Sequence, residues 1–423
     1  MFGVARVVLL LVLVGGVIAA GPLVWAFAAG FARDPALYAD ATYLLRVLFP
    51  FIYFMGLIGV GMGLLHVRGR FVVPAVGPML LNIGLIAGAG VAWWRMQQPG
   101  QDASANPLAI GVLAGVAAWW LWMRVAATRQ QIDVRSSIWP LQPEVRHVGR
   151  LLLPALAGLS VYQLQVIVGT QFASFLPEGG FTCLWYADRL VQFPMAMVGT
   201  AVATVALPVL SNARVKGGDT DEALSDVLQF STFVVVPAAI GLYIVREPLI
   251  DLVFGWGHFD DRAVARTAAA TGALAVSLVP GALNRVLTAN LYSEERMAGP
   301  IVAGAAALIV QALCSWQWLE QDVEGLARAI AVASVAQLLV LTVLARRSGQ
   351  RIAMPLRGVA ATIAAAVCMV GALQGVDRAV ASWTAGPRLA ILVATGIAAY
   401  AVIAVALRHP EAQRLIQRFS SRR

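Results

Sequence analysis

The chain has 423 residues, of which 60% are hydrophobic and only 13% are charged, and its mean hydropathy is +0.77. Soluble domains carry about 25% charged residues, so this composition excludes a soluble globular protein and indicates a membrane protein with many spans. The net charge of +9 does not call for a nucleic-acid partner, because arginines gather in the inner loops of membrane proteins. We therefore expect membrane lipids, and no nucleic acid, around this chain.

Twelve apolar stretches of about 20 residues follow one another along the chain. They lack the period-two alternation of barrel strands, so the sequence predicts an all-α polytopic membrane protein with about twelve transmembrane helices. The predicted spans lie near residues 7–29, 43–65, 72–94, 107–127, 151–175, 182–210, 230–246, 267–291, 299–318, 327–345, 358–376 and 388–408. Within them, the small-residue pairs Gly59/Gly63 and Gly84/Gly88 predict close packing between helices.

Basic residues predict the orientation. With the N-terminus inside, about twenty of the 31 lysines and arginines fall in inner segments, which places both termini in the cytoplasm. The longest basic inner loop, residues 128–150, marks a boundary between two helical bundles. The predicted domains are an incomplete N-terminal bundle of four spans (1–130), a basic cytoplasmic linker (131–150), a six-helix bundle (151–347), a two-helix segment (355–408) and a basic cytoplasmic tail (409–423).

A weak internal repeat relates the two bundles. Residues 65–74 match residues 291–300 at a Leu, an Arg and a Pro, all at an offset of 226 residues. Both segments follow a span entered from outside, so the repeat is parallel, as in transporters built from two similar halves. The spans at 151–175 and 182–210 have no counterpart in the first half. We therefore expect the chain to lack an opening helix pair.

Residues that carry chemistry are sparse. The cysteines lie far apart and the histidines do not cluster, so we expect no disulfide, no metal site and no cofactor. The single lysine, Lys216, stands outside any glycine loop of the kind that binds nucleotide phosphates. The sequence predicts that the chain is not an enzyme.

The most informative stretch is residues 186–194 (YADRLVQFP), which places an acid and a base inside a predicted span. A charge near the middle of a span costs about 2.5–3.5 kcal/mol, so it usually faces a cavity, a partner or a polar substrate. Arg189 lies about 11 Å below the outer boundary, counting 1.5 Å per residue. It is either a cavity cation, a member of a structural ion pair or a side chain that reaches back to the interface.

Other polar residues and several prolines are candidates for the same site because they lie within or next to predicted spans. Asp188 shares a helix face with Gln192, four residues later, and is a candidate for tuning Arg189, for binding a coupling ion or for pairing with another helix. Arg285 lies near the inner end of its span, where it either faces the same cavity or reaches the boundary. Asn82 follows two prolines that either free carbonyls for a ligand or only kink the helix. Pro74, Pro78 and Pro194 are the candidate structural or gating residues.

These motifs together resemble the MurJ (MviN) family of lipid II flippases, in the MOP transporter superfamily. The resemblance rests on residues 154–161 (PALAGLSV), 172–176 (FASFL), 186–190 (YADRL), 207–211 (LPVLS) and, in the first half, 49–52 (FPFI), 70–75 (RFVVPA) and 78–83 (PMLLNI). It covers essentially the whole chain. Two departures stand out: family members have fourteen spans, and Gln192 occupies a position where an acidic residue is often found.

The resemblance implies a two-bundle MOP-type transporter fold, here with an incomplete first bundle and two extra C-terminal helices. It implies that the chain flips an undecaprenyl-pyrophosphate-linked lipid across the inner membrane by alternating access. Arg189, with Arg285, would hold the pyrophosphate, and spans 358–376 and 388–408 would form a groove for the lipid tail. Cell-wall synthesis or division proteins are candidate partners. Two alternatives stay open: a non-transporting scaffold or regulator of cell-wall synthesis, and a flippase or exporter of another polyprenyl-linked oligosaccharide.

Overall fold

The computed structural model describes residues 2–98, 104–130, 163–215, 220–294, 296–350 and 356–420, and these ranges are helical with short connections and no strand. The chain divides into two compact units, Met1–Leu156 and Ala157–Arg423. The division lies within residues 131–162, which are outside the described ranges. The predicted limits of the linker and of the domains on either side therefore stay predictions. The all-helical fold class is confirmed.

The described residues of the first unit form six α-helices. They are α1 (Phe2–Ile18), α2 (Ala20–Phe27), α3 (Pro35–Leu48), α4 (Pro50–Val67), α5 (Val72–Met96) and α6 (Asn106–Arg129), with a 3-10 turn at Ala29–Arg33. Helix α5 packs along α6, and α4 packs against α6 and α1. The Asp34 carboxylate caps α3 by accepting hydrogen bonds from the backbone N–H groups of Ala36 and Leu37.

The first predicted span is not one straight helix. Helices α1 and α2 meet at Ala19 with a bend of 79°. Pro22 lies in the first turn of α2 and has no N–H to donate to the carbonyl of Ile18, four residues earlier. The missing hydrogen bond explains why the apolar run, which reads as one span at residues 7–29, breaks here.

Glycines set the close contact between α5 and α6. A Cβ on Gly84 would lie 2.4 Å from the carbonyl oxygen of Gly111, and a Cβ on Gly88 would lie 2.5 Å from that of Pro107. The predicted close packing at Gly84/Gly88 is confirmed. The close packing predicted at Gly59/Gly63 is not found, because an added Cβ at either glycine would have no described neighbour within 4 Å apart from the backbone of its own helix.

Nine helical segments are found in the part of the second unit that the structure describes. They are α7 (the described residues 163–173), α8 (Gly180–Val215), α9 (Thr220–Phe254), α10 (Asp261–Ser293), α11 (Ala298–Gln317), α12 (Asp322–Arg347), α13 (Leu356–Ala379), α14 (Ala385–Ala406) and α15 (Pro410–Ser420). Helix α10 is central, packing against α8, α9 and α12. Helices α13 and α14 pack on each other and on α9.

An ion pair ties the starts of α10 and α12 together. Arg266 donates to both carboxylate oxygens of Asp322, at 2.6 and 2.7 Å, and to the carbonyl oxygen of Glu178 at 2.8 Å. Asp322 has a φ of 58°, which is unusual for a residue other than glycine. The two charge-assisted hydrogen bonds stabilise this turn.

By length and composition, nine helices among the described residues can cross a membrane, or ten if the bent α1–α2 pair forms one span. The predicted span 151–175 falls largely outside the described residues. The predicted span 182–210 lies within α8, which is 36 residues long. The chain is therefore a multi-pass membrane protein.

Candidate functional site

A cavity lined by both polar and apolar side chains lies inside the second unit. Its volume is about 490 Å³, and five of the described helices line it. Volumes of about 300–1,000 Å³ are typical of small-molecule sites. The polar lining side chains are Gln165 and Thr170 of α7, Asp188 and Gln192 of α8, Ser277, Asn284, Arg285 and Thr288 of α10, Gln311 of α11, and Ser334 and Gln337 of α12.

Two charged residues stand among the described lining residues, the acid Asp188 and the base Arg285. The guanidinium of Arg285 reaches α8 beside Gly199, where an added Cβ would lie 3.4 Å from Nη1. None of the ion pairs between described residues involves Arg285. Its charge is therefore available to an anion, and its planar donor group suits a phosphate.

Gln192 bridges the acid and the base of α8. Its Nε2 donates to the Asp188 carboxylate, and its Oε1 accepts a hydrogen bond of 3.2 Å from Arg189 Nη1. The predicted shared face of Asp188 and Gln192 is therefore confirmed. A neutral amide can serve both neighbours at once, because it carries a donor and an acceptor.

Arg189 lies beside the cavity and is not among its lining residues. Its guanidinium carbon sits 4.5 Å from the ring centroid of Trp185, one helical turn earlier, and Trp185 does line the cavity. This cation–π contact holds the guanidinium at the cavity's edge. Arg189 is exposed, as are Asp188 and Gln192.

The remaining predicted site residues lie elsewhere. Asn82 is exposed on α5 in the first unit and is not among the residues that line the cavity. Helix α5 runs unbroken through Pro78, and Pro74 is in its first turn, where a proline costs no hydrogen bond. Helix α8 continues through Pro194. No helix end is found at any of the three prolines, and a gating role for them stays a prediction.

Three further amide side chains line the cavity and are buried or half-buried: Asn284, Gln311 and Gln337. None of them was a site candidate from the sequence. Gln311 is 5% exposed and donates to the carbonyl oxygen of Gln165 at 3.2 Å. Gly169 makes room for this contact, since a Cβ there would lie 3.2 Å from Gln311 Nε2. Asn284 and Gln337 form a similar contact between α10 and α12. The available signal was the presence of amide side chains within apolar spans.

Comparison with known proteins identifies the family. The model of the family described as "Lipid II flippase MurJ" matches residues 1–394. The chain belongs to this family.

The relatives of this MurJ-family chain include a probable lipid II flippase MurJ of Bdellovibrio bacteriovorus, 30% identical over 374 residues that make up 86% of this chain and 70% of that protein. The lipid II flippase MurJ of Burkholderia cenocepacia is 30% identical over 307 residues, or 71% of this chain and 58% of that protein. This chain thus spans less than two thirds of the Burkholderia relative.

A solved structure has the same fold. It is titled lipid II flippase MurJ, inward closed conformation, and it superposes with a TM-score of 0.81 at 18% identity, covering 96% of this chain and 83% of that one. The MurJ-type transporter fold expected from the sequence is confirmed.

Proposed function

We propose that this chain flips lipid II, the lipid-linked precursor of peptidoglycan, across the inner membrane. The observation that carries the proposal is the cavity of the second unit, whose wall holds Arg285, a cation that forms no ion pair with another described residue. A charge within a membrane-spanning bundle is costly and is retained where it meets a polar ligand. The pyrophosphate of a polyprenyl-linked sugar supplies the anion that an arginine fork binds in bidentate fashion.

Arg189 is the second cation of the proposed site. Its position over Trp185 brings a positive charge to the edge of the same cavity. Asp188, held by Gln192, opposes these charges and limits how tightly an anion is held. Release matters as much as binding in transport, because a substrate held too firmly does not leave.

The transport mode, the orientation, the lipid groove and the partners that we propose rest on the sequence alone. Transport by alternating access requires no bond to be made or broken. We propose that both termini lie in the cytoplasm, because the basic residues are concentrated in the segments that this orientation makes internal. The helix pair α13–α14 is the expected groove for the lipid tail. Any contact with cell-wall synthesis or division proteins stays a prediction.

Growth of cells depleted of their own lipid II flippase tests the function. The full-length protein is expressed in such cells, and its amount in the membrane is measured. We expect growth to be restored, and the Arg285→Ala variant to fail at the same membrane level. Failure of the wild-type protein to restore growth at a normal membrane level would contradict lipid II transport and would favour a scaffold or another polyprenyl-linked cargo.

A further inference from the structure

The side chain of Asn284 is held in one orientation by α12. Asn284 is 6% exposed, and its Nδ2 donates to the carbonyl oxygen of Ser334 at 3.0 Å and lies 3.4 Å from Gln337 Oε1. Turning the amide over would set its oxygen against the Ser334 carbonyl oxygen, which can only accept. The backbone of α12 therefore decides which amide atom of Asn284 keeps its hydrogen-bonding capacity unused.

The amide atom that α12 leaves without a partner is the acceptor Oδ1. It is buried and has no hydrogen-bond partner among the described residues, although Asn284 lines the cavity. A buried acceptor without a partner destabilises the folded protein. Such a group in a cavity wall indicates a ligand that brings an N–H or O–H donor.

The neighbours of Asn284 narrow the chemistry of that ligand. Arg285 is the next residue and supplies a cation, while the Ser334 hydroxyl and the Gln337 amide add neutral polar groups on the facing helix. A ligand that fits these groups carries hydroxyl or amide donors close to an anion. A sugar attached to a diphosphate has this arrangement.

We propose that Asn284 Oδ1 accepts a hydrogen bond from the saccharide part of the lipid-linked substrate. The cavity of the second unit then recognises the sugar as well as the diphosphate to which the sugar is attached. This inference rests on the proposed function. Arg285 binds the diphosphate whether or not a sugar is attached. Asn284 distinguishes the two lipids, because a fixed acceptor rejects a ligand that lacks the matching donor.

The test compares two probes on the purified full-length protein. One is undecaprenyl diphosphate, and the other is undecaprenyl diphosphate carrying an N-acetylated disaccharide. Asn284→Leu removes the acceptor at similar volume, and Asn284→Ala is a smaller second variant without an acceptor in case the first does not fold. Asn290→Leu is the matched control, because Asn290 is also buried on α10 and lies outside the cavity lining.

We expect both Asn284 variants to bind the saccharide-bearing lipid about tenfold more weakly than the wild type, with binding of undecaprenyl diphosphate nearly unchanged. The Asn290 control should bind both lipids as the wild type does. Equal weakening of both lipids, or no weakening of either, would overturn the role of Asn284. A wild-type protein that binds neither lipid would instead overturn the proposed function, and the role of Asn284 with it.

Discussion

The Gln192 amide donates a hydrogen bond to the Asp188 carboxylate, one helical turn earlier on α8. The same amide accepts from Arg189, so a neutral side chain holds an acid and a base side by side at the cavity. An acidic residue at this position would repel Asp188. Gln192 thus lets the carboxylate remain in the lining beside a site proposed for an anion.

Removing the charge of Asp188 should tighten the binding of an anionic lipid. Asp188→Asn keeps an acceptor for Gln192 and deletes the repulsion, and we expect undecaprenyl diphosphate to bind about threefold more tightly at low salt. Asp377→Asn is the control, since Asp377 pairs with Arg388 away from the cavity. Weaker binding by Asp188→Asn would show instead that the carboxylate itself contacts the ligand or binds a cation.

The ion pair between Arg266 and Asp322 should stabilise the second unit. The Arg266 side chain is 13% exposed, and Arg266→Gln leaves Asp322 without its cation. A loss of about 2 kcal/mol is expected, between the values for buried and exposed pairs. Thermal unfolding in detergent should show a lower Tm. Arg328→Gln, which breaks a more exposed pair with Glu324, should leave the Tm nearly unchanged, and equal shifts would contradict this assignment.

Helix α5 offers a matched pair of glycines for testing the close contact with α6. Gly84→Ala places a methyl group against the backbone of Gly111 and should destabilise the first unit by about 1–3 kcal/mol. Gly90→Ala adds the same methyl group on the same helix, where nothing lies within 4 Å, and should be neutral or slightly stabilising. Thermal unfolding compares the two. A neutral Gly84→Ala would refute the close approach.

Docking of the C-terminal helix α15 should depend on pH through His409. The ring is fully buried: Nδ1 accepts from the N–H of Glu411 at 3.1 Å, and Nε2 lies 3.1 Å from the Gly358 carbonyl oxygen. Only the neutral ring can accept at Nδ1. Burial lowers the pKa of His409 below its ordinary value of 6.5, so the folded chain binds this proton less readily than the unfolded chain. The stabilisation is complete above pH 6.5 and is lost as the pH falls through the lowered pKa.

Limited proteolysis of the C-terminal segment at pH 8 and pH 5 measures this effect. The wild type should be cleaved faster at pH 5. His409→Asn keeps an acceptor for the start of α15 without titrating, so its cleavage should depend less on pH. His258→Asn, at an exposed position, should behave as the wild type. The same pH dependence in all three proteins would rule out His409 as the titrating group.

Local patterns in the sequence predicted local structure. The four-residue spacing of Asp188 and Gln192 placed them on one face, and the structure joins them by a hydrogen bond. The glycines at 84 and 88 predicted a tight helix contact for a similar reason. The break at Ala19 was missed, because an apolar run of sufficient length reads as a single span even where a proline removes a hydrogen bond.

The cavity itself could not be predicted from one sequence. Asn284 meets Ser334, 50 positions away, and Gln311 meets Gln165, 146 positions away, so no short-range pattern connects the partners. Arg285 was a candidate from its place within a span, but the sequence could not decide between the cavity and the membrane boundary. Arg189 was the leading candidate, and its contact with Trp185 places it at the cavity's edge rather than in the lining.

The rate of lipid II translocation in vesicles tests the central claim most directly. Fluorescent lipid II is followed across membranes that contain the wild-type protein, Arg189→Ala, Arg285→Ala or the control Arg328→Ala, at equal protein levels. We expect Arg189→Ala and Arg285→Ala each to reduce the rate at least about tenfold, because each variant loses hydrogen bonds to a charged group. Arg328→Ala should not reduce the rate. Translocation at the wild-type rate in both the Arg189 and the Arg285 variants would contradict the central claim.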